Sequence, residues 1–278
     1  MDRAERTKIA HETLAIVDDG QYVAANDEIV NIAQQIEACR AKTQCFTPPQ
    51  LDELYNTALQ SMPPFANTSI EIQNETALAG AFRLHALKRF DKVCVLNFAS
   101  AKNPGGGFLN GSQAQEESLA RSSALYASLT QCPEYYHVHR QHRSGFYSDH
   151  MIYSPGCPIV RTDAGDLLNQ PVLVDFITSA APNARSIPRR DRHKIETVFR
   201  QRMAKMLALA AANRCRALVL GAWGCGVFRN DPHMVARLFA ENLLPGQPFH
   251  GRFTHVLFAV LDTSSDLGIL TPFQRGLQ

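Results

Sequence analysis

The chain has 278 residues with 45% hydrophobic content, enough for one large domain with a sizeable core. A formal charge of +2 with 19% charged residues sets up no global field of the kind nucleic-acid or membrane binders use, so neither partner is expected and any anion recognition is local. Seven cysteines without a CxxC pair, no apolar leader after MDRAERTK and no run near 18 apolar residues point to a reduced, cytoplasmic protein without a membrane span.

In chain order, the pattern predicts a helix over 4–15 broken at Gly20, a short strand at 21–24, and an amphipathic helix within 27–41, where the apolar spacing also admits a strand. TPPQLDEL (47–54) and Pro63–Pro64 punctuate an N-terminal extension, and SIEIQ (69–73) alternates like a strand. There follow a helix near 75–89, the strand KVCVLNF (92–98), a helix over 113–130, and strands near 150–154 and at PVLVDFIT (171–178). A helix over 191–213, ALVLGAW (217–223), a helix over 231–242 and THVLFAVLD (254–262) complete the series. Continuous apolar strands with helices between them predict an α/β sandwich, a mixed, mainly parallel sheet covered on both faces, over 71–278. Residues 1–70 read as a mostly helical extension packed on it. In such sheets ligands bind beyond the carboxyl ends of the strands. Three of these strands run into the special loops NPGGGF, SAAPN and GAWGCGVF.

The first loop carries the chemistry. Gly105, Gly106 and Gly107 lack Cβ atoms, so their backbone can take positive φ and turn N–H groups toward an anion. Ser112 reads as the N-cap of the next helix, with Gln115 completing a capping box. Glu116 and Glu117 then fall in the first helical turn, about 100° apart around the axis, so they do different jobs.

These residues resemble a known family. GGG followed by QEE is the signature of poly(ADP-ribose) glycohydrolases, and NFASAKNPGGGFLNGSQAQEESLARSS is similar to their microbial branch. FITSAAPN (176–183) and LGAWGCGVFRNDP (220–232) resemble two further blocks in the same order. The resemblance implies a three-layer macrodomain that hydrolyses the ribose–ribose bonds of poly(ADP-ribose), or of ADP-ribosylated protein, and releases ADP-ribose. It implies Glu117 as the general acid and Glu116 as an aid in fixing ribose hydroxyls. Asn97, Asn103, Gly105 to Gly107 and Gln115 would form one wall of the site, Ala181 and Asn183 the adenosine end. Gly224, Cys225, Gly226, Val227 and Phe228 would wrap the diphosphate and cover the distal ribose. No cofactor and no metal are implied. A hydrolase of single ADP-ribose groups and a non-catalytic ADP-ribose reader are the alternatives.

Each residue also has a plainer reading. A glutamate pair after an N-cap favours the helix dipole, and Glu117 could pair with Arg121 at i,i+4. Asn103 before Pro104 starts a turn, Phe228 and Trp223 suit a core, and Ser122 and Ser123 suit packing. Cys225 has no nearby His to make it a nucleophile. Asp231 before Pro232 reads as a helix N-cap. His137, His139, His142 and His150 match no common zinc spacing. The run RSIPRRDRHK (185–194) is either a solvated helix start or an attractor for a polyanionic substrate.

Overall fold

The computed structural model describes residues 1–142 and 144–278. Helix α1 (Arg3–Asp19) stops at Gly20, whose φ of 70° and N–H to the Ile16 carbonyl form a left-handed cap. Next come a hairpin of β1 (Gln21–Val23) and β2 (Ile29–Asn31), then α2 (Ala33–Lys42), β3 (Gln44–Phe46) and α3 (Pro48–Gln60). The helix expected within 27–41 is thus divided, because Val30 is buried opposite Tyr22 in the hairpin before α2 begins. Thr47, with Gln50 accepting from its N–H at 2.9 Å and Pro48 in the first helical position, starts α3.

The remaining elements are β4 (Ser69–Gln73), α4 (Ala77–Ala86), β5 (Val93–Phe98), α5 (Gln115–Ser122), α6 (Leu125–Leu129) and α7 (Pro133–Gln141). They continue with β6 (Met151–Arg161), β7 (Leu167–Ser179), α8 (Ile195–Ala212), β8 (Ala217–Leu220), α9 (Pro232–Leu243), β9 (His255–Ala259) and α10 (Leu270–Gly276). Strands β3-β6-β7-β5-β8-β9-β4 form one sheet. It is parallel from β7 through β4, while β3, β6 and β7 are antiparallel neighbours. Side chains alternate between two cores: Cys94, Leu96, Leu218 and Phe258 face α3, α8, α9 and α10, whereas Val93, Val95, Val219 and Leu257 face the layer holding α2, α4 and α6. This is the three-layer sandwich expected from the continuous apolar strands.

Two boundaries differ from expectation. The helix predicted over 113–130 breaks at Ser123, which turns extended (φ −149°), bridges Ile159 and brings the Ala124 N–H to the Pro158 carbonyl at 3.0 Å. Strand β6 extends well past 154, because Pro155–Gly156, a turn signal in the sequence, sits in a register shift within the strand. The N-terminal segment supplies β3, the edge strand paired with β6, and the expected boundary at residue 70 falls inside β4, the opposite edge strand of the same sheet. Among the described residues no helix is long and apolar enough to cross a membrane.

Buried Arg202 on α8 ties the ends of this frame together. Its guanidinium donates to Asp149 Oδ1 and to the carbonyls of Ala180 and Phe146 at 2.8–2.9 Å, fixing the loop after β7 against the loop before β6. Arg202→Leu leaves the half-buried Asp149 carboxylate with Lys205 alone and strands both carbonyls. The expected loss is about 3–5 kcal/mol in unfolding free energy, read from the denaturant midpoint.

Candidate active site

The loops after β5, β7 and β8, adjacent parallel strands, meet at one end of the sheet. A Cβ on Gly224 would lie 2.6 Å from Ala181 Cβ, and one on Gly221 would lie 3.1 Å from Phe98 Cζ, so the loops touch. The SAAPN loop is held to the β8 loop by Asn230, whose Nδ2 donates to the carbonyls of Pro182 (2.8 Å) and Gly224 (3.0 Å).

In the loop after β5, Gly105 and Gly106 adopt φ of 68° and 61°, conformations that glycine alone takes freely. The turn lays the loop on the glutamates: a Cβ on Gly106 would sit 2.4 Å from Glu117 Oε1 and 3.2 Å from Glu116 Oε2. Glu117 Oε1 accepts the Gly107 N–H at 3.0 Å, and Glu117 makes no other hydrogen bond and no ion pair among the described residues. Arg121 instead donates to the Ser112 carbonyl and to Gln113 and Ser118.

Glu116 points inward and is 3% exposed. Its Oε1 accepts from Asn97 Nδ2 at 3.2 Å and its Oε2 from the Ser100 N–H at 2.6 Å. Burial pushes its pKa up to about 8, against the pull of those donors, and the neighbouring Glu117 charge adds to the rise. Asn97, fully buried, also donates from Nδ2 to Thr178 and so braces β5, β7 and Glu116, while its Oδ1 has no partner among the described residues.

The capping box expected at Ser112 and Gln115 does not form. Helix α5 starts at Gln115 with Ala114 as an uncapped entry, and the Gln115 amide turns back to β5, accepting the Phe98 N–H (2.8 Å) and donating to the Leu96 carbonyl (2.7 Å). It fills backbone positions that a neighbouring strand would otherwise take, and so sets where the helix begins. Asn103 is exposed, and its carbonyl closes the turn by accepting the Gly106 N–H.

A cavity of about 450 Å³ adjoins these groups. Gln115, Ala181, Gly224, Gly226, Val227 and Phe228, all expected in the site, line it, as does Trp223. Asn97, Asn103, Gly105 to Gly107, Glu116, Glu117, Asn183 and Cys225 do not. The Asn183 main-chain N–H donates to the Gly145 carbonyl, and its Nδ2 donates to Tyr147 OH at 3.5 Å. Burial pushes the Cys225 thiol up, which removes it as a nucleophile. Sequence reasoning missed the far wall of the cavity: Glu75, Thr76 and Leu78 at the start of α4, with Leu261 and Ile269. Thr76, the side-chain N-cap of α4, was available as a signal, since the stretch after β4 is another strand end in the parallel part of the sheet.

Also missed was the role of α1. Arg3 Nε donates to the Asn110 carbonyl (2.9 Å), Arg6 Nε to the Gly111 carbonyl (2.8 Å), and Thr13 Oγ1 to the Arg121 carbonyl (2.7 Å). The first helix therefore clamps the return of the glycine loop and the end of α5. His139 and His150 converge on Ser148 Oγ, and burial lowers His139 to about 4, so it is neutral. Among the described residues the one trio with metal-ligand proximity is Cys45, Cys132 and Glu134, on β3 and at the start of α7, away from these loops.

The model of the microbial-type PARG catalytic domain matches residues 10–162, the stretch that contains the glycine loop and both glutamates. The chain belongs to the microbial-type poly(ADP-ribose) glycohydrolase family. It is similar to the poly(ADP-ribose) glycohydrolase of Thermomonospora curvata, with 48% identity, 99% of this chain and 100% of that chain covered, and a TM-score of 0.95. A structure of that enzyme bound to the inhibitor ADP-HPD matches at 48% identity over 98% of this chain and 99% of that one, TM-score 0.92. The Deinococcus radiodurans glycohydrolase in complex with ADP-ribose matches at 48% identity over 87% of this chain and 97% of that one, TM-score 0.82. No curated protein matches the sequence.

Two predictions follow from this glycohydrolase site. A raised acid is protonated in the folded chain at pH values where the unfolded chain has lost the proton. The burial of Glu116 is therefore best tolerated below its ordinary value of 4.5, and stability falls as the pH climbs toward 8. Glu116→Gln, permanently neutral, is expected to gain on wild type by a few kcal/mol between pH 5 and pH 8.5 in paired denaturant titrations. Separately, Arg3→Ala/Arg6→Ala is expected to speed amide exchange of Gly107 to Gly111 about tenfold, by loss of two hydrogen bonds to loop carbonyls.

Proposed function

We propose that this glycohydrolase cleaves the ribose–ribose bond of poly(ADP-ribose) with Glu117 as general acid. The observation that carries this reading is the Gly107 N–H to Glu117 Oε1 bond, which anchors one oxygen of a half-buried carboxyl group and leaves the other without a protein partner among the described residues. Cleavage develops positive charge on the anomeric carbon and negative charge on the departing ribose oxygen. Glu117 delivers a proton to that oxygen as the carbon–oxygen bond breaks. Water then adds to the anomeric carbon and returns a proton to the carboxylate, freeing ADP-ribose. Such assistance contributes roughly 10² to 10⁴ in rate.

The surroundings fit an ADP-ribose unit. The cavity between Thr76, Leu78, Phe98 and Leu261 is mainly apolar and suits the flat face of adenine. The glycine-bearing turn from Gly224 to Phe228 suits the diphosphate, with open space around Gly226. Glu116, whose oxygens are both engaged, acts as the brace that sets the Ser100 amide and the loop, in place of the ribose contact the resemblance implied. Acceptor-linked ADP-ribose would present the same anomeric carbon to Glu117 with a different leaving group, and polymer is the substrate proposed because the solved structures this chain resembles are poly(ADP-ribose) glycohydrolases.

Glu117→Gln keeps shape and hydrogen bonding but carries no transferable proton. Release of ADP-ribose from labelled polymer is expected to fall by at least 10²-fold, while calorimetric binding of ADP-ribose stays within about threefold of wild type. Unchanged turnover would remove Glu117 from the mechanism. Faster turnover on a mono-modified acceptor than on polymer would reassign the substrate.

A further inference from the structure

The mechanism leaves the basic segment without a role. Residues 185–196 hold five Arg and Lys against Asp191 and Glu196, a formal +3, while the whole chain carries +2. The remainder is therefore slightly acidic, and the positive charge is concentrated in twelve residues. That segment is joined to the cleft: the Arg185 N–H donates to the carbonyl of Phe228, the residue that lines the cavity.

A groove of about 680 Å³ opens between the starts of α8 and α9, lined by Arg192, His193, Arg229, Asn230 and His233 among others. It shares a wall with the proposed diphosphate loop, since Asn230 faces the groove while its Nδ2 bonds the Gly224 carbonyl. The acids on its rim are already engaged. Glu196 pairs with Arg200 and Arg237, and Asp231 Oδ1 accepts the His233 N–H as the cap of α9. Arg192 and Arg229 are exposed and enter no ion pair among the described residues. Two unneutralised guanidinium groups beside a ligand cleft suit a diphosphate, which accepts their forked N–H donors.

We propose that this groove binds the diphosphate of the ADP-ribose unit adjacent to the one held in the cleft, so that the enzyme grips its polymer over two repeats. The inference rests on the polymer-hydrolase reading and adds a second anion subsite to it. It makes polymer affinity depend on charges that free ADP-ribose does not feel.

The test uses the full chain carrying Arg192→Glu/Arg229→Glu, with Arg192→Lys/Arg229→Lys as the conservative pair. On long polymer, KM is expected to rise about tenfold for the Glu pair with kcat within twofold of wild type, and the Lys pair recovers most of the loss. ADP-ribose affinity, measured by calorimetry, holds within twofold for both, which also reports an intact cleft. The slope of log KM against log salt falls by about 1.4, from two phosphate contacts at roughly 0.7 each for a single strand. Polymer KM that is the same in wild type and the Glu pair overturns the groove alone. So does competition by single-stranded RNA as strong as that by polymer at equal phosphate, which would make the patch a general polyanion surface. A wild-type chain that releases no ADP-ribose from polymer overturns the hydrolase reading and the groove with it.

Discussion

A backbone amide reaching a carboxylate across a bare glycine is the contact on which the cleft depends. The Gly107 N–H meets Glu117 only because Gly106, at φ 61°, brings no side chain into the 2.4 Å where Glu117 Oε1 already sits. With that contact in place, the loop lies flat on the first turn of α5, Ser100 reaches Glu116, and Asn97 completes the brace to β7. The loop, the helix start and the central strand thus act as one rigid body, and the positions of three elements are set by a spacing smaller than a methyl group.

The two glutamates show how adjacent residues acquire opposite characters. Successive helix positions point about 100° apart, which carries Glu116 into the core and leaves Glu117 at the rim. Burial then does for Glu116 what no neighbouring cation offsets: it favours the neutral acid at physiological pH. A neutral Glu116 removes a repulsive charge from beside Glu117 and from the anionic ligand the site is proposed to hold.

Much of this arrangement was legible in the residues. GGG before QEE placed flexible backbone against acids, and continuous apolar strands ending in NPGGGF, SAAPN and GAWGCGVF placed three loops on one edge; the structure brings them together. Asp231–Pro232 started its helix as read. Other features were hidden for identifiable reasons. Gln115 looked like half of a capping box because spacing alone cannot show a side-chain amide standing in for a missing strand. The strand read near 150–154 runs on through Pro155–Gly156, since a register shift and a turn share one vocabulary. The depth of Asn97 was hidden because a polar residue at a strand end carries no sign of how far it is buried. The grip of α1 on the loop depends on carbonyls about a hundred residues away, a relation that no local pattern encodes.

That grip has a practical bearing. Arg3 and Arg6 hold the carbonyls of Asn110 and Gly111, so the start of α1 lies against the return of the glycine loop. An affinity tag, a fluorophore or a fused partner joined ahead of Asp2 would sit beside that loop. The opposite terminus follows α10, which packs on α9, and offers a quieter point of attachment for immobilisation or imaging.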